Sequence, residues 1–215
     1  MQASDYVSLA LVVLMGYLAV ILTRASWRYL RVAIRWVAAL LRRAQRGKLF
    51  ISYRRSDSEH PTGRIYDGLQ LEFGQDCVFK DVDNIPLGVD FRQHLSVAVA
   101  RADLVLAVIG ARWLEPSPES GRPRIWEDQD FVRAELLAAL QRGKPIIPLL
   151  VAGAAMPSES QLPAELSKLA FLQAHPVRSD PDFREDMRRL IVKIRSAWPR
   201  KFRPHIDVQG PPSAA

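Results

Sequence analysis

One glutamate stands out in the apolar stretch 128–150, which reads DQDFVRAELLAALQRGKPIIPLL. At 100° per residue, Glu135 shares one helix face with Phe131 and Ala139, while leucines cover much of the remaining surface. The helix meets Gly143 and runs into an apolar segment that is typical of a buried strand. The carboxylate is therefore either a solvated group over a shallow groove or a group directed into a pocket, where it is available for chemistry.

Several common reaction sites are excluded by missing motifs. Neither G-x-G-x-x-G after the first predicted strand nor G-x-x-x-x-G-K-[ST] occurs, so the phosphate cradles of dinucleotide-binding and P-loop proteins are absent. No G-x-S-x-G nucleophile elbow occurs either. A phosphoacceptor receiver domain needs acidic residues at positions that hold Arg54, Arg55 and Gly110. These four classes of site are therefore rejected.

Metal and disulfide chemistry also lacks the necessary residues. The single cysteine, Cys77, excludes an internal disulfide framework and any multi-cysteine metal site. The four histidines lie far apart without ligand spacing, so we interpret them as surface or structural residues: His60, His94, His175 and His205. The sequence predicts no metal site and no resident cofactor.

The net positive charge of the chain lies in its first 48 residues. This segment holds eight basic residues and one acidic residue, Asp5, so it carries the whole net charge of +7. The charges of residues 49–215 sum to zero. The basic residues are Arg24, Arg28, Arg31, Arg35, Arg42, Arg43, Arg46 and Lys48. A nucleic-acid-binding domain needs basic charge on its folded surface, so no nucleic-acid partner is predicted.

The N-terminal arm is typical of a membrane anchor. Residues 6–23 form an uncharged run of eighteen residues, about the shortest helix that spans a bilayer core of about 30 Å. A signal peptide is the competing interpretation, but the run lacks a preceding positive charge and a small-x-small cleavage site. Since the positive charge follows the run, we expect the N-terminus outside and the remainder in the cytoplasm.

The segment 24–47 repeats apolar residues with helical spacing, with arginines between them. It predicts a basic amphipathic helix that binds the lipids of an anionic leaflet, so that residues 6–47 together contact the membrane. A helix that packs on its own domain, or on a second copy, remains the alternative.

From residue 48 onward, strands alternate with helices, which predicts an α/β fold with a parallel sheet and helices on both faces. Strands are predicted at 48–53, 77–81, 103–110, 145–151 and 169–177, and helices at 62–74, 90–102, 129–142 and 181–198. We therefore expect a membrane helix in 1–23, an amphipathic helix in 24–47, an α/β domain in 48–198 and a disordered tail in 199–215. Ligands of such sheets bind beyond the carboxyl ends of the strands.

The segments LFISYRRSD, VFKDVDNIPLGVDF and DFVRAELLAALQRGKPIIPLL resemble the Toll/interleukin-1 receptor (TIR) domain family over about residues 48–197. Several branches of that family are similar, especially bacterial TIR proteins and the animal TIR enzyme of axon degeneration. It implies a flavodoxin-like fold with a five-stranded parallel sheet. It also implies either TIR–TIR scaffolding or hydrolysis of NAD⁺ at the nicotinamide–ribose bond, with NAD⁺ as substrate.

The resemblance also implies site residues. The catalytic glutamate of the enzymatic branches, in a W/F-V-x-x-E pattern, corresponds to Glu135, preceded by Phe131 as a ring that stacks on the substrate. Arg54 and Arg55 correspond to the paired arginines after the first strand, where one could bind the pyrophosphate. The loop 81–90 would contribute to substrate binding through Asp81 and Gly88, and to assembly through Asp83, Ile85 and Pro86.

Two functions follow from the resemblance. The first is a membrane-tethered NAD⁺ glycohydrolase, in which Glu135 stabilises the ribosyl cation and TIR–TIR association completes the cleft. The second is a non-catalytic adaptor that recruits other TIR domains through the loop 81–90. An adaptor has no need of Glu135, so its presence favours the enzyme.

Overall fold

The computed structural model describes residues 29–32, 34, 46–80 and 97–203. The chain divides into two compact units, Met1–Gln45 and Arg46–Ala215. In the first unit, residues 29–32 and 34 are helical and exposed. Within the described ranges, no helix is both long and apolar enough to cross a membrane. The predicted membrane segment 6–23 and most of the amphipathic segment lie outside these ranges.

The second unit is built around a five-stranded, fully parallel sheet, which confirms the predicted fold class. The strands lie in the order β2-β1-β3-β4-β5 across the sheet. They are β1 (Leu49–Ser52), β2 (Val78–Lys80), β3 (Leu104–Ile109), β4 (Ile146–Val151) and β5 (His175–Val177). The direction in which the chain adds strands reverses between β1 and β3, and such a switch point opens a crevice at the carboxyl ends of the strands.

Both faces of the sheet are covered. Every residue of β3 is buried, because its side chains alternate between two separate hydrophobic cores. The first core lies under helices α1 (Arg55–Phe73) and α3 (Phe183–Ala197). The second lies under α2 (Phe131–Gln141) and the 3₁₀ segment Ala164–Phe171. Residues 97–101 are also helical, and the rest of the helix predicted at 90–102 lies outside the described residues.

The start of α1 was predicted wrongly. The helix was predicted to begin at residue 62, but α1 begins at Arg55 and Thr62 lies buried inside it. The backbone leaves helical geometry at Ser58, so α1 consists of two segments joined by a kink. Pro61 then falls in the first turn of the second segment, where a missing N–H costs little.

The last strand is shorter than its apolar run predicted. Only His175–Val177 pair with β4, whereas residues up to Phe171 form the 3₁₀ segment. The tail predicted to be disordered from residue 199 includes a packed residue, because Phe202 is buried against Phe73 and Trp198. The ordered structure thus extends beyond residue 198, and residues 204–215 lie outside the described part.

Candidate active site at the switch point

The carboxyl end of β1 directs Ser52 toward α2. Side chains alternate along the strand, so Leu49 and Ile51 enter the core under α1 and α3, while Phe50 enters the core under α2. Ser52 continues the second set and is fully enclosed, with 1% of its surface exposed. A buried hydroxyl on this face needs a polar partner from the helix above it.

That partner is Glu135. The Ser52 hydroxyl donates a hydrogen bond of 2.5 Å to Glu135 Oε2, and Glu135 has no exposed surface. On α2 it lies on the buried face with Val132 and Leu136, so the interpretation as a solvated surface residue is excluded. Phe131, in the first turn of α2, is 47% exposed and lies outside this buried face.

An ion pair joins the residues after β1 to the start of α2, nearer the carboxyl ends of the strands. Arg54 Nη1 donates to Asp130 Oδ2 at 2.7 Å, and both side chains are more than nine-tenths buried. Asp130 is also the N-cap of α2, because its Oδ1 accepts a hydrogen bond of 2.8 Å from the backbone N–H of Arg133. One carboxylate therefore fixes both the start of α2 and the orientation of Arg54.

Arg54 retains donors that the described residues do not use. Among these residues, no group accepts a hydrogen bond from its buried Nε or Nη2 atoms. Buried guanidinium donors are normally paired. Arg55, in contrast, is exposed. Of the two predicted arginines, only Arg54 thus lies with Glu135 at the interface of β1 and α2.

The Ser52–Glu135 and Arg54–Asp130 interactions are consistent with α2 running antiparallel to β1. From Asp130 to Glu135 the helix rises by about 7.5 Å, and an extended chain covers about 6.6 Å from Ser52 to Arg54. Glu135 can therefore contact Ser52 at the end of β1, while Asp130 contacts Arg54 two residues beyond it. The carboxylate and the guanidinium are held on one framework beside the switch point.

Sequence reasoning missed the residue that holds the neighbouring loop. Asp57 accepts hydrogen bonds from the backbone N–H groups of Gly110 (2.9 Å) and Arg112 (2.8 Å), directly after β3. A Cβ atom at position 110 would lie 2.4 Å from an Asp57 oxygen, so this approach requires glycine. The glycine that ends β3 was a visible signal, but its partner lies 53 residues away in sequence.

The loop between β3 and α2 is anchored by both of its tryptophans. Trp113 is buried in the core, and the half-exposed Trp126 donates from Nε1 to the carbonyl of Gln161. Arg133 of α2 adds ion pairs to Asp128 (2.7 Å) and Glu165 (2.5 Å). The first turn of α2 is thereby fixed on its outer side as well.

The remaining predicted site residues lie elsewhere. Asp81, Asp83, Ile85, Pro86 and Gly88 are outside the described residues. In the part of the chain that the structure describes, no group of three or more His, Cys, Asp or Glu residues could hold a metal ion.

The one buried histidine of the described ranges belongs to the far edge of the sheet. His175 Nε2 lies 2.9 Å from the carbonyl oxygen of Asp186, and burial lowers the pKa of its imidazole. Its role is structural, as the sequence indicated.

The comparisons with known proteins identify the family and the fold of the α/β unit. The model of the TIR domain family matches residues 49–191. Among solved structures, the TIR domains of the activated Roq1 resistosome directly recognizing the pathogen effector XopQ are similar, with a TM-score of 0.50 and 13% identity over 69% of this chain and 99% of that chain. At this identity the likeness concerns the fold alone. A comparison with curated proteins gave no match. The family match covers most of the α/β unit, and the chain belongs to the TIR domain family.

Proposed function

We propose that the protein is an NAD⁺ glycohydrolase that cleaves the nicotinamide–ribose bond when its TIR domains associate. The observation that carries this proposal is a buried carboxylate, Glu135, held beside the switch point on the same framework as Arg54, a buried guanidinium with two nitrogen atoms that donate to no described residue. A buried carboxylate beside such a guanidinium suits a ligand that carries charge of both signs. NAD⁺ combines a cationic nicotinamide ring with an anionic pyrophosphate.

The reaction requires stabilisation of positive charge at one carbon atom. As the bond from ribose C1′ to the ring nitrogen breaks, nicotinamide takes the electron pair and leaves as a neutral molecule. Positive charge develops on the ribose, and the Glu135 carboxylate stabilises it more strongly than water would, because the site is enclosed. Water then bonds to C1′ and releases a proton, which gives ADP-ribose. The leaving group needs no general acid, so a single carboxylate suffices.

Arg54 is the proposed anchor for the pyrophosphate. Its Nη1 is occupied by Asp130, whereas Nε and Nη2 are not used by the described residues. A guanidinium offers parallel donors that match a phosphate group. Phe131 exposes about half of its ring in the first turn of α2, where it can stack on a base of the substrate.

Because Glu135 is enclosed, the association of TIR domains has a role in giving the substrate access to it. With 0% of its surface exposed, Glu135 can meet ribose only after neighbouring residues move. We propose that contact between TIR domains provides this movement, so that the isolated chain is latent. The predicted membrane arm, residues 6–47, would confine copies to one surface and raise their effective concentration.

The first experiment measures nicotinamide release from NAD⁺ by the purified chain in dilute solution and after clustering on beads. We expect turnover to rise with clustering and to disappear in Glu135→Gln, which keeps the size of the side chain but removes its charge. Glu159→Gln is the matched control, because Glu159 is exposed on a 3₁₀ segment away from β1.

Three results would contradict the proposal. Full turnover by Glu135→Gln would refute the site, and full turnover at high dilution would refute the role of association. Absence of turnover under every clustering condition would favour the adaptor function, and the partner of the TIR domain would then be sought by binding experiments.

A further inference from the structure

We propose that Ser52 is a positioning residue that fixes the orientation of the Glu135 carboxylate for catalysis. This inference rests on the proposed NAD⁺ hydrolysis and deepens it, because it assigns a role to a residue outside the arginine pair and the glutamate. The hydroxyl contacts the carboxylate directly.

The contact joins two buried side chains directly. Ser52 Oγ donates a hydrogen bond of 2.5 Å to Glu135 Oε2. Both groups are buried, so water does not compete for either partner. The hydroxyl therefore holds the side-chain oxygen that the proposed reaction uses.

A hydrogen bond is needed here because the side chain does not orient itself. The last torsion of a glutamate joins a tetrahedral carbon to a planar carboxylate, and its energy profile is broad. The Ser52 donor on Oε2 restricts rotation of the carboxylate plane relative to ribose C1′. Since stabilisation of a developing charge depends on geometry, such rotation reduces the rate.

Ser52 is well placed to impose an orientation because it ends an interior strand of the sheet. It is the last residue of β1, and its register partner is Ala107 on β3, whose surroundings are fully buried. The Arg54–Asp130 ion pair fixes α2 two residues further along the chain. A donor on a central strand holds its partner more accurately than a donor on a loop.

The kinetic test compares Ser52→Ala, Ser52→Thr and Ser117→Ala in the clustered full chain. We expect Ser52→Ala to lower kcat by about tenfold to a hundredfold with little change in KM, because the hydroxyl touches the carboxylate and leaves the substrate-binding groups intact. Ser52→Thr keeps the hydroxyl and should retain kcat within about threefold. Ser117→Ala controls for loss of a buried serine, since Ser117 is 3% exposed and lies in the loop after β3.

Unchanged kcat in Ser52→Ala would overturn the proposal. Equal losses in Ser52→Ala and Ser52→Thr at wild-type Tm would also overturn it, because the hydroxyl would then not be the cause. A rise in KM with unchanged kcat would assign Ser52 to binding and reject positioning.

A second measurement does not depend on activity. Urea unfolding of Ser52→Ala, Glu135→Met and the double variant forms a double-mutant cycle for the hydrogen bond. We expect the double variant to deviate by about fivefold or more in the unfolding equilibrium constant from the product of the single effects. No deviation would refute the contact itself. A clear deviation in a chain that never hydrolyses NAD⁺ would refute the proposed function, and the positioning role with it, while leaving the contact intact.

Discussion

At the scale of single residues, burial separates the two arginines that follow β1. Arg54 is 8% exposed and pairs with Asp130, whereas Arg55 is exposed at the start of α1. A buried guanidinium loses its hydration and must recover it from fixed partners. Adjacent residues of the same type thus have different chemical roles, and only Arg54 is expected to bind substrate.

Lysine substitutions distinguish the two positions. Arg54→Lys keeps the charge that faces Asp130 but loses the planar fork, so we expect KM for NAD⁺ to rise by about tenfold to a hundredfold. Arg55→Lys is the matched control and should leave KM within about twofold. Initial rates of the clustered chain over a range of NAD⁺ concentrations measure both values. A larger effect at Arg55 would mean that the wrong arginine has been assigned.

At the scale of elements, the position of α2 determines the site. Its start is fixed by the Asp130 cap, and its outer side by the ion pairs of Arg133 with Asp128 and Glu165. Glu135 lies one turn further along, opposite Ser52 of β1. Because the start of α2 is fixed, the position of Glu135 on the same helix is fixed as well.

Removal of the cap should lower the stability of the fold. We expect Asp130→Ala to lower the free energy of unfolding by about 3–5 kcal/mol, since it leaves Arg54 as an uncompensated buried charge and removes the cap. Asp130→Asn can still cap α2 and should recover about 1 kcal/mol of this loss. Urea unfolding followed by circular dichroism gives the values. If Asp130→Ala were as stable as the wild type, the Arg54–Asp130 ion pair and the Asp130 cap would contribute nothing to the stability of the fold.

At the scale of the whole molecule, groups at the far edge of the sheet stabilise the fold away from the proposed site. At that edge, the buried carboxylate of Asp186 accepts hydrogen bonds from the Arg178 guanidinium and from its backbone N–H. The Arg178 side chain lowers the pKa of Asp186 to about 2. This interaction joins the end of β5 to α3, far from Glu135 in the strand order.

The lowered pKa makes part of the stability dependent on pH. In the unfolded chain the pKa of an aspartate is about 3.9, so the ionised Asp186 stabilises the fold above about pH 4 and this contribution is lost as pH falls toward 2. Asp186→Asn should lower stability at pH 7 by about 1–3 kcal/mol and should differ less from the wild type at pH 2.5. Urea unfolding across this pH range provides the measurement. A stability difference independent of pH would show that the ionised carboxylate is not the cause.

The sequence by itself determined the elements, because apolar runs and helical spacing are local properties. The five strands, the helix that carries Glu135 and the parallel sheet all follow from such patterns. The alternation of side chains along β1 even places Ser52 and Arg54 on the same face as Phe50, although this signal was not used. The kink at Ser58 was not predicted, since it depends on how Pro61 is accommodated in α1.

Only the tertiary structure decided which polar groups meet. Ser52 and Glu135 are 83 residues apart, Arg54 and Asp130 are 76 apart, and Asp57 reaches Gly110 across 53 residues. Side-chain pairing over such separations depends on strand order and on the level at which a helix lies against the sheet, and neither is encoded in local periodicity. The sequence named a candidate carboxylate, and the packing of α2 on β1 enclosed it and gave it partners.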